Sequence, residues 1–181
     1  SRTMDFSQFD LIYAGAQKNM GPAGTTLVIV KDDILGKVSR KIPSMLNYQT
    51  HIAKDSMFNT PSVFAVYTSM LTLEWLKNLG GIAAIEEVYE KKARLLYSEI
   101  DLNPVFEGYA NIEDRSLMNA TFNITDEVLK TTFDNMLKEA GINGLNGHRS
   151  VGGYRASMYN ALSLESVGVL VDVMSEMERK G

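Results

Sequence analysis

The apolar positions of this chain change period several times, and each change marks a predicted element. Residues 11–16 form a short apolar run, the mark of a buried strand. Residues 25–30 read as a second strand, β-branched and bounded by Gly24 and by Lys31-Asp32-Asp33. Residues 36–59 hold no sustained period, and Pro43 interrupts them, so an extended and mostly irregular segment is expected. "NTPS" then predicts a helix start, with Thr60 as N-cap and Pro61 at the first helical position. Val63, Val66, Tyr67, Met70, Leu71 and the stretch from Leu73 to Leu76 supply its apolar face, and Gly80-Gly81 stops it. Ile82, Ile85, Val88, Tyr89, Lys92, Leu95, Leu96 and Ile100 recur at helical spacing before Pro104, giving a second long helix.

The pattern shortens downstream. Met118, Ala120, Phe122 and Ile124 alternate with Asn119, Thr121 and Asn123, a half-buried strand. Residues 126–140 predict a helix burying Leu129, Phe133, Met136 and Leu137 and capped by Gly141. Residues 154–159 predict another strand, and Ser163 caps a last helix with Val167, Leu170, Val171, Met174 and Met177 on one face. The methionines, Met70, Met136, Met174 and Met177 among them, sit at core spacing. Strand and helix alternate after residue 115, so the class is α/β, or α+β for this last part. The Gly80-Gly81 joint is the expected domain boundary, dividing residues 1–80 from 81–181. The opening Ser1-Arg2-Thr3-Met4 runs almost at once into a strand, which points to a processed N-terminus or a piece of a longer protein.

Composition narrows the function classes. The 181 residues carry a net charge of −4, against a broad basic surface for nucleic acid. No apolar run is long enough for a membrane helix, and no signal peptide stands out. With no cysteine and only His51 and His148, disulfides, thiolate metal sites and multi-histidine metal centres are not expected, and a cytoplasmic setting is compatible.

Three stretches could carry chemistry. In "YAGAQKNMGPAG", Lys18 stands between a strand end and a glycine-rich loop; it is either a solvated loop lysine or an amine shielded enough to attack a carbonyl. "GHRSVGGYR" sets His148, Arg149 and Arg155 around Gly152-Gly153: an idle basic turn, or a grip for planar or tetrahedral anions. In "FNTPS", Asn59 and Thr60 precede a helix N-terminus, which either is merely capped or receives a phosphate.

Taken together, "LIYAGAQKNMGPAGTTLVIV", "PSMLNYQTH", "SMFNTPSVFAVY", "RSLMNATF" and "GHRSVGGYRASMYNA" resemble, in order and spacing, the C-terminal half of the phosphoserine aminotransferase family. The resemblance runs over essentially the whole chain. It implies a fold-type-I, pyridoxal 5'-phosphate-dependent transferase of the class V aminotransferases. In this chain, residues 1–80 would be the trailing part of the large cofactor domain and residues 81–181 the small C-terminal domain. It implies a homodimer that moves an amino group between glutamate and 3-phosphohydroxypyruvate, giving O-phosphoserine and 2-oxoglutarate in serine biosynthesis, with a second use in pyridoxine synthesis in some members. Carried onto matching positions, Lys18 resembles the lysine that joins the cofactor covalently and then serves as base and acid. Gln17 resembles its neighbour that bonds the cofactor phosphate, and Asn59 and Thr60 the pair that reaches the phosphate of the other subunit. Arg155 resembles the clamp for the substrate α-carboxylate. His148 and Arg149 resemble the groups that receive the substrate phosphate or the glutamate side-chain carboxylate.

The resemblance also implies what this chain lacks: the aromatic that stacks on the pyridine ring, the carboxylate that pairs with its nitrogen, and much of the phosphate cup. The chain alone is therefore expected to be inactive, and its strands to expose open edges that invite association. Two other readings stand beside this one. Another fold-type-I enzyme, such as a cysteine desulfurase relative or a different aminotransferase, would not need the arginine cluster. A non-catalytic anion-binding module would need no reactive Lys18.

Overall fold

A computed structural model describes residues 1–180. Its chain forms two compact units, Thr3–Gly81 and a second made of Ser1–Arg2 with Ile82 onward.

In Thr3–Gly81, β1 (Leu11–Gly15) and β2 (Thr26–Val30) pair antiparallel, Leu11 opposite Val30 and Gly15 opposite Thr26. A short helix, α1 (Tyr48–Ile52), follows, and then α2 (Val63–Asn78). The segment expected to be irregular thus contains α1, a helix too short to leave a period; the Asn47 side chain caps it by accepting the Gln49 N–H at 3.1 Å. The start of α2 also differs from the expected one. The helix begins at Val63 with Ser62 at its cap, not at Thr60, and no side-chain capping bond forms. Ser62, at φ −73° and ψ 85°, is not helical, so Pro61 stands in the extended segment before the helix and not in its first turn.

Few side chains of this unit are buried. Its buried apolar residues are Ala16, Ala65 and Leu76. The expected apolar face of α2 lies open instead: Phe64 is 73% exposed, Val63 67%, Tyr67 55% and Met70 45%, so Met70 is not a core residue here. Apolar residues also surround the helix, with Val66, Leu71, Leu73 and Trp75 exposed as well. A helix that is apolar all round is built to be covered on every side.

The second unit closes its own core. The long α3 (Gly81–Leu102) leads to β3 (Phe106–Gly108), β4 (Asn119–Ile124), α4 (Lys130–Glu139), β5 (Tyr154–Ser157) and α5 (Leu164–Lys180). The strands form an antiparallel sheet in the order β3-β4-β5, with Phe106 opposite Ile124 and Thr121 opposite Arg155. The period-2 burial of β4 is the one its alternation predicts: Ala120, Phe122 and Ile124 face inward. On that face the rings of Phe106, Phe122, Phe133 and Tyr154 contact one another with centroids 5.0 to 5.8 Å apart. Leu96 and Ile100 of α3 and Leu170, Met174 and Met177 of α5 complete the cluster. Strand β3, three residues long, escaped the sequence reading, and β5 stops at Ser157, two residues short of the expected end. The α5 cap is as expected, Ser163 Oγ accepting the Ser166 N–H at 3.1 Å.

Three buried polar groups fix the ends of these elements. Lys92, fully buried on α3, donates through Nζ to the carbonyls of Met158 (3.3 Å), Tyr159 (3.0 Å) and Leu162 (3.1 Å), and lies 4.4 Å from the Tyr89 ring centroid. Those carbonyls belong to the turn after β5, so one side chain terminates the strand and holds the approach to α5. Burial lowers the Lys92 pKa from its usual value. Asn103 joins α3 to α5, donating to the Met174 carbonyl at 3.0 Å and accepting the Val105 N–H at 3.0 Å. Tyr154 Oη donates to Asp134 Oδ1 at 2.8 Å, tying β5 to α4; burial first, and then this bond, push its pKa up.

A raised folded-state pKa on a phenol means that stability is retained below the unfolded value of about 10 and lost as pH rises through the folded one. Tyr154→Phe should cost about 1–2 kcal/mol at neutral pH, the worth of a hydrogen bond to a carboxylate. It should also make the alkaline loss shallower. Lys92 acts in the opposite direction, since its lowered pKa makes stability rise toward alkaline pH, but it does so equally in both proteins. Urea unfolding of native and variant chains at neutral and alkaline pH checks this; parallel pH profiles would contradict it.

Candidate functional site

Within Thr3–Gly81, Lys18 sits just past β1. Its strand closes with Ala16, buried, whose N–H donates to the Thr25 carbonyl at 2.9 Å; the Lys18 and Met20 N–H groups then both return to the Ala16 carbonyl, at 2.6 and 3.2 Å. That tight turn puts Gln17 and Lys18 on the outside, both exposed, and no hydrogen bond or ion pair engages the Lys18 amine among the described residues. The rest of the loop lies on α2. A Cβ on Gly21 would fall 2.8 Å from Ser69 Oγ and 3.2 Å from Ser69 Cα, and the φ of Gly21 is +146°. Only glycine allows this approach of backbone to helix. Gly24 approaches Ala65 and Ser62 at the first turn of the same helix.

The unit therefore brings the Lys18 loop onto the start of α2, and Asn59 and Thr60 lie immediately before that start. Both are exposed, and Asn59 Nδ2 donates to the Thr60 carbonyl at 3.2 Å. They are reached through Asp55 and Ser56, two non-glycine residues in the left-handed region at φ 49° and 65°, a backbone conformation of the kind that gathers at functional segments. His51 is structural: Nε2 meets the Met45 carbonyl at 3.0 Å and the ring packs on Phe58.

In the second unit the other three residues share one hairpin. The Arg155 N–H donates to the Leu145 carbonyl at 2.6 Å, Asn146 bridges Tyr154, and the Gly147 N–H donates to the Gly153 carbonyl at 2.8 Å. His148 and Arg149 stand exposed at the tip, where the Val151 and Gly152 N–H groups both return to the His148 carbonyl at 2.8 Å. Gly153, at φ +61°, makes the base possible: a Cβ there would lie 2.9 Å from the Phe122 carbonyl and collide with the Asn123 side chain.

Arg155 emerges on the face of the sheet opposite the aromatic core. Its neighbours there are Thr121, directly across the strand pair, and Asn119, Asn123 and Ser157, with Ser157 Oγ donating to Asn119 Oδ1 at 3.0 Å. Arg155 also lines a cavity of about 420 Å³ between β5, the 140–145 turn and the start of α5. Its Nε is buried and has no partner. Among the described residues, Thr25 Oγ1 beside β2, Ser69 Oγ under the Lys18 loop and Arg115 Nε in the Arg115–Asp101 ion pair are likewise buried without a partner. The polar row around Arg155 was missed by the sequence reading, although the alternation of Asn119, Thr121 and Asn123 carried it. Ser150, whose Oγ lies 2.7 Å from His148 Nδ1, carried no signal at all.

The comparisons with known proteins fit this layout. The sequence pattern described as Aminotransferase class-V matches residues 1–170, and the chain belongs to that family. Within it, the chain is similar to phosphoserine aminotransferases: 68% identical to the one from Flavobacterium psychrophilum, over 99% of this chain and 51% of that protein. The solved phosphoserine aminotransferase from Bacillus circulans subsp. alkalophilus superposes with a TM-score of 0.91 at 41% identity, over 99% of this chain and 50% of that one. The pyridoxal-phosphate-bound phosphoserine aminotransferase from Trichomonas vaginalis gives 0.85 at 35% identity, over 95% of this chain and 49% of that one. The mixed helix-and-sheet fold is thus that of these aminotransferases, and the chain spans about half the length of the relatives it matches.

Gly153→Ala should destabilise the second unit more than Gly152→Ala. Both force a side chain into the left-handed region, at roughly 1–2 kcal/mol, but a Cβ at Gly152 meets open space whereas at Gly153 it meets backbone. Thermal unfolding of the two variants checks the order, and equal losses would contradict it.

Proposed function

We propose that this chain is the C-terminal half of a phosphoserine aminotransferase, a pyridoxal-phosphate enzyme that exchanges an amino group between L-glutamate and 3-phosphohydroxypyruvate. The observation that carries the reading is Lys18: an unengaged amine, held just past a strand end by a glycine-dependent loop laid on α2. The donor set suits the cofactor. A primary amine can condense with an aldehyde, the Gln17 amide beside it can bond a phosphate, and Asn59 and Thr60 precede the N-terminus of a 16-residue helix, which favours an anion. Pyridoxal phosphate, when bound, supplies the electron sink that makes a substrate Cα–H acidic. Lys18 Nζ then takes that proton as base and returns one as acid.

The substrates explain the second hairpin. Each carries two anionic ends, so two grips are needed. Arg155, on the sheet face opposite the aromatic core, offers a guanidinium fork to the α-carboxylate. His148 and Arg149 receive the phosphate, or the side-chain carboxylate of glutamate. Thr3–Gly81, with its uncovered α2, is the trailing part of the large domain, and the second unit is the small domain. The full protein is a homodimer in which Asn59 and Thr60 serve the partner's cofactor phosphate, and it works in the cytoplasm. No helix among the described residues is long and apolar enough to cross a membrane.

The test is chemical. Incubating the chain with pyridoxal phosphate, reducing with borohydride and mapping peptides by mass spectrometry should find one adduct, on Lys18. In the full-length protein, Lys18→Ala should lower kcat by roughly 10²–10⁴ or more, the scale of a lost proton carrier. Labelling spread over surface lysines, together with a Lys18→Ala enzyme that turns over like the native one, would overturn the reading.

A further inference from the structure

We infer that Ser150 is a positioning residue that locks His148 with its proton on Nε2, so that the neutral ring presents an N–H donor to an oxyanion. The inference rests on the reading of the hairpin tip as an anion grip, and deepens it.

Two bonds meet at one atom of His148. The Ser150 backbone N–H points at His148 Nδ1 from 3.3 Å, and Ser150 Oγ lies 2.7 Å from the same nitrogen. A backbone N–H can only donate, so Nδ1 holds a lone pair. The hydroxyl, free to rotate, donates to it as well. A neutral imidazole has one N–H, and with Nδ1 accepting, that proton sits on Nε2. The loop holds the arrangement, since the Val151 and Gly152 N–H groups both bond the His148 carbonyl at 2.8 Å and keep Ser150 folded beside the ring.

The tautomer matters for an anion. With the proton on Nε2, His148 donates toward solvent without taking up a second proton. With the proton on Nδ1, it would turn a lone pair toward the phosphate and oppose Arg149. An Nε2–H donor beside a guanidinium grips the phosphate of one substrate and the carboxylate of the other, and Ser150 keeps it so by contacting the ring and not the ligand.

The chain's two histidines make this directly readable. His51 Nε2 faces the Met45 carbonyl at 3.0 Å and must donate, so it too carries its proton on Nε2 and serves as an internal reference. In chain labelled with ¹⁵N-histidine, at about pH 8.5 where an ordinary imidazole is neutral, the native His148 should show the Nε2–H form. Ser150→Ala should lower the ratio of Nε2–H to Nδ1–H forms by about five-fold, the scale of one ordinary hydrogen bond, leaving His51 unchanged; Ser150→Thr should restore it. In the full-length protein, Ser150→Ala should raise KM for the phosphorylated substrate about five-fold while kcat changes less than two-fold, again with rescue by threonine. A native ring protonated on Nδ1, a ratio identical in native and Ser150→Ala chains, or an unchanged KM would each overturn the proposal. Failure of the aminotransferase reading would appear at Lys18 and leave the histidine spectra as they are, so the two failures are distinguishable.

Discussion

The packing of four aromatic rings, Phe106, Phe122, Phe133 and Tyr154, on one face of a three-stranded sheet is the contact on which the second unit depends. It sets the register of β4 and β5, and because side chains alternate along a strand, it decides what appears on the other face. With Tyr154 and Ala156 committed to the core, Arg155 must point away from it, into a row of Asn, Thr and Ser. The hairpin that carries His148 and Arg149 starts from the same strand, and Lys92 closes the far end of that strand through three backbone carbonyls. An apolar core thus places a polar row on the opposite face.

The first unit obeys the opposite constraint. Its sheet has two strands, its longest helix is apolar all round, and its buried apolar residues are two alanines and one leucine. Burying a large apolar side chain is worth about 1.5–3 kcal/mol, and α2 leaves that unrealised at Phe64, Tyr67, Met70 and others. What the unit does define well is local: a tight turn after β1 and a glycine-backed crossing over Ser69. Those features fix where Lys18 emerges without needing a large core.

Much of this was legible because local patterning and global packing agree in the second unit. The alternation around Phe122, the 3.6-residue period of α3 and α5, and the Ser163 cap all appear where their side chains require. Lys92 was placed correctly on the buried face of its helix by spacing alone, against the usual habit of lysine. Elements too short to show a period, α1 and β3, were not legible. The start of α2 was misread because Pro61 fits a first helical turn as readily as the extended segment before one. The spacing of α2 gave its apolar positions but not their exposure, since a sequence pattern specifies which side chains seek cover and not whether the covering surface is present. At the candidate site, Lys18, Arg155 and the hairpin tip stood out by residue type. Ser150 did not, because its role arises only when the loop folds a hydroxyl back onto a ring.

The central claim is that the two halves of this chain differ in kind: one carries its own core and the other is built to be covered. Hydrogen exchange on the chain in dilute solution tests it most directly. The account predicts slow exchange in β4, β5 and the buried turns of α3 and α5, and much faster exchange along α2 and the β1–β2 pair. Protection of α2 equal to that of α5 would contradict it.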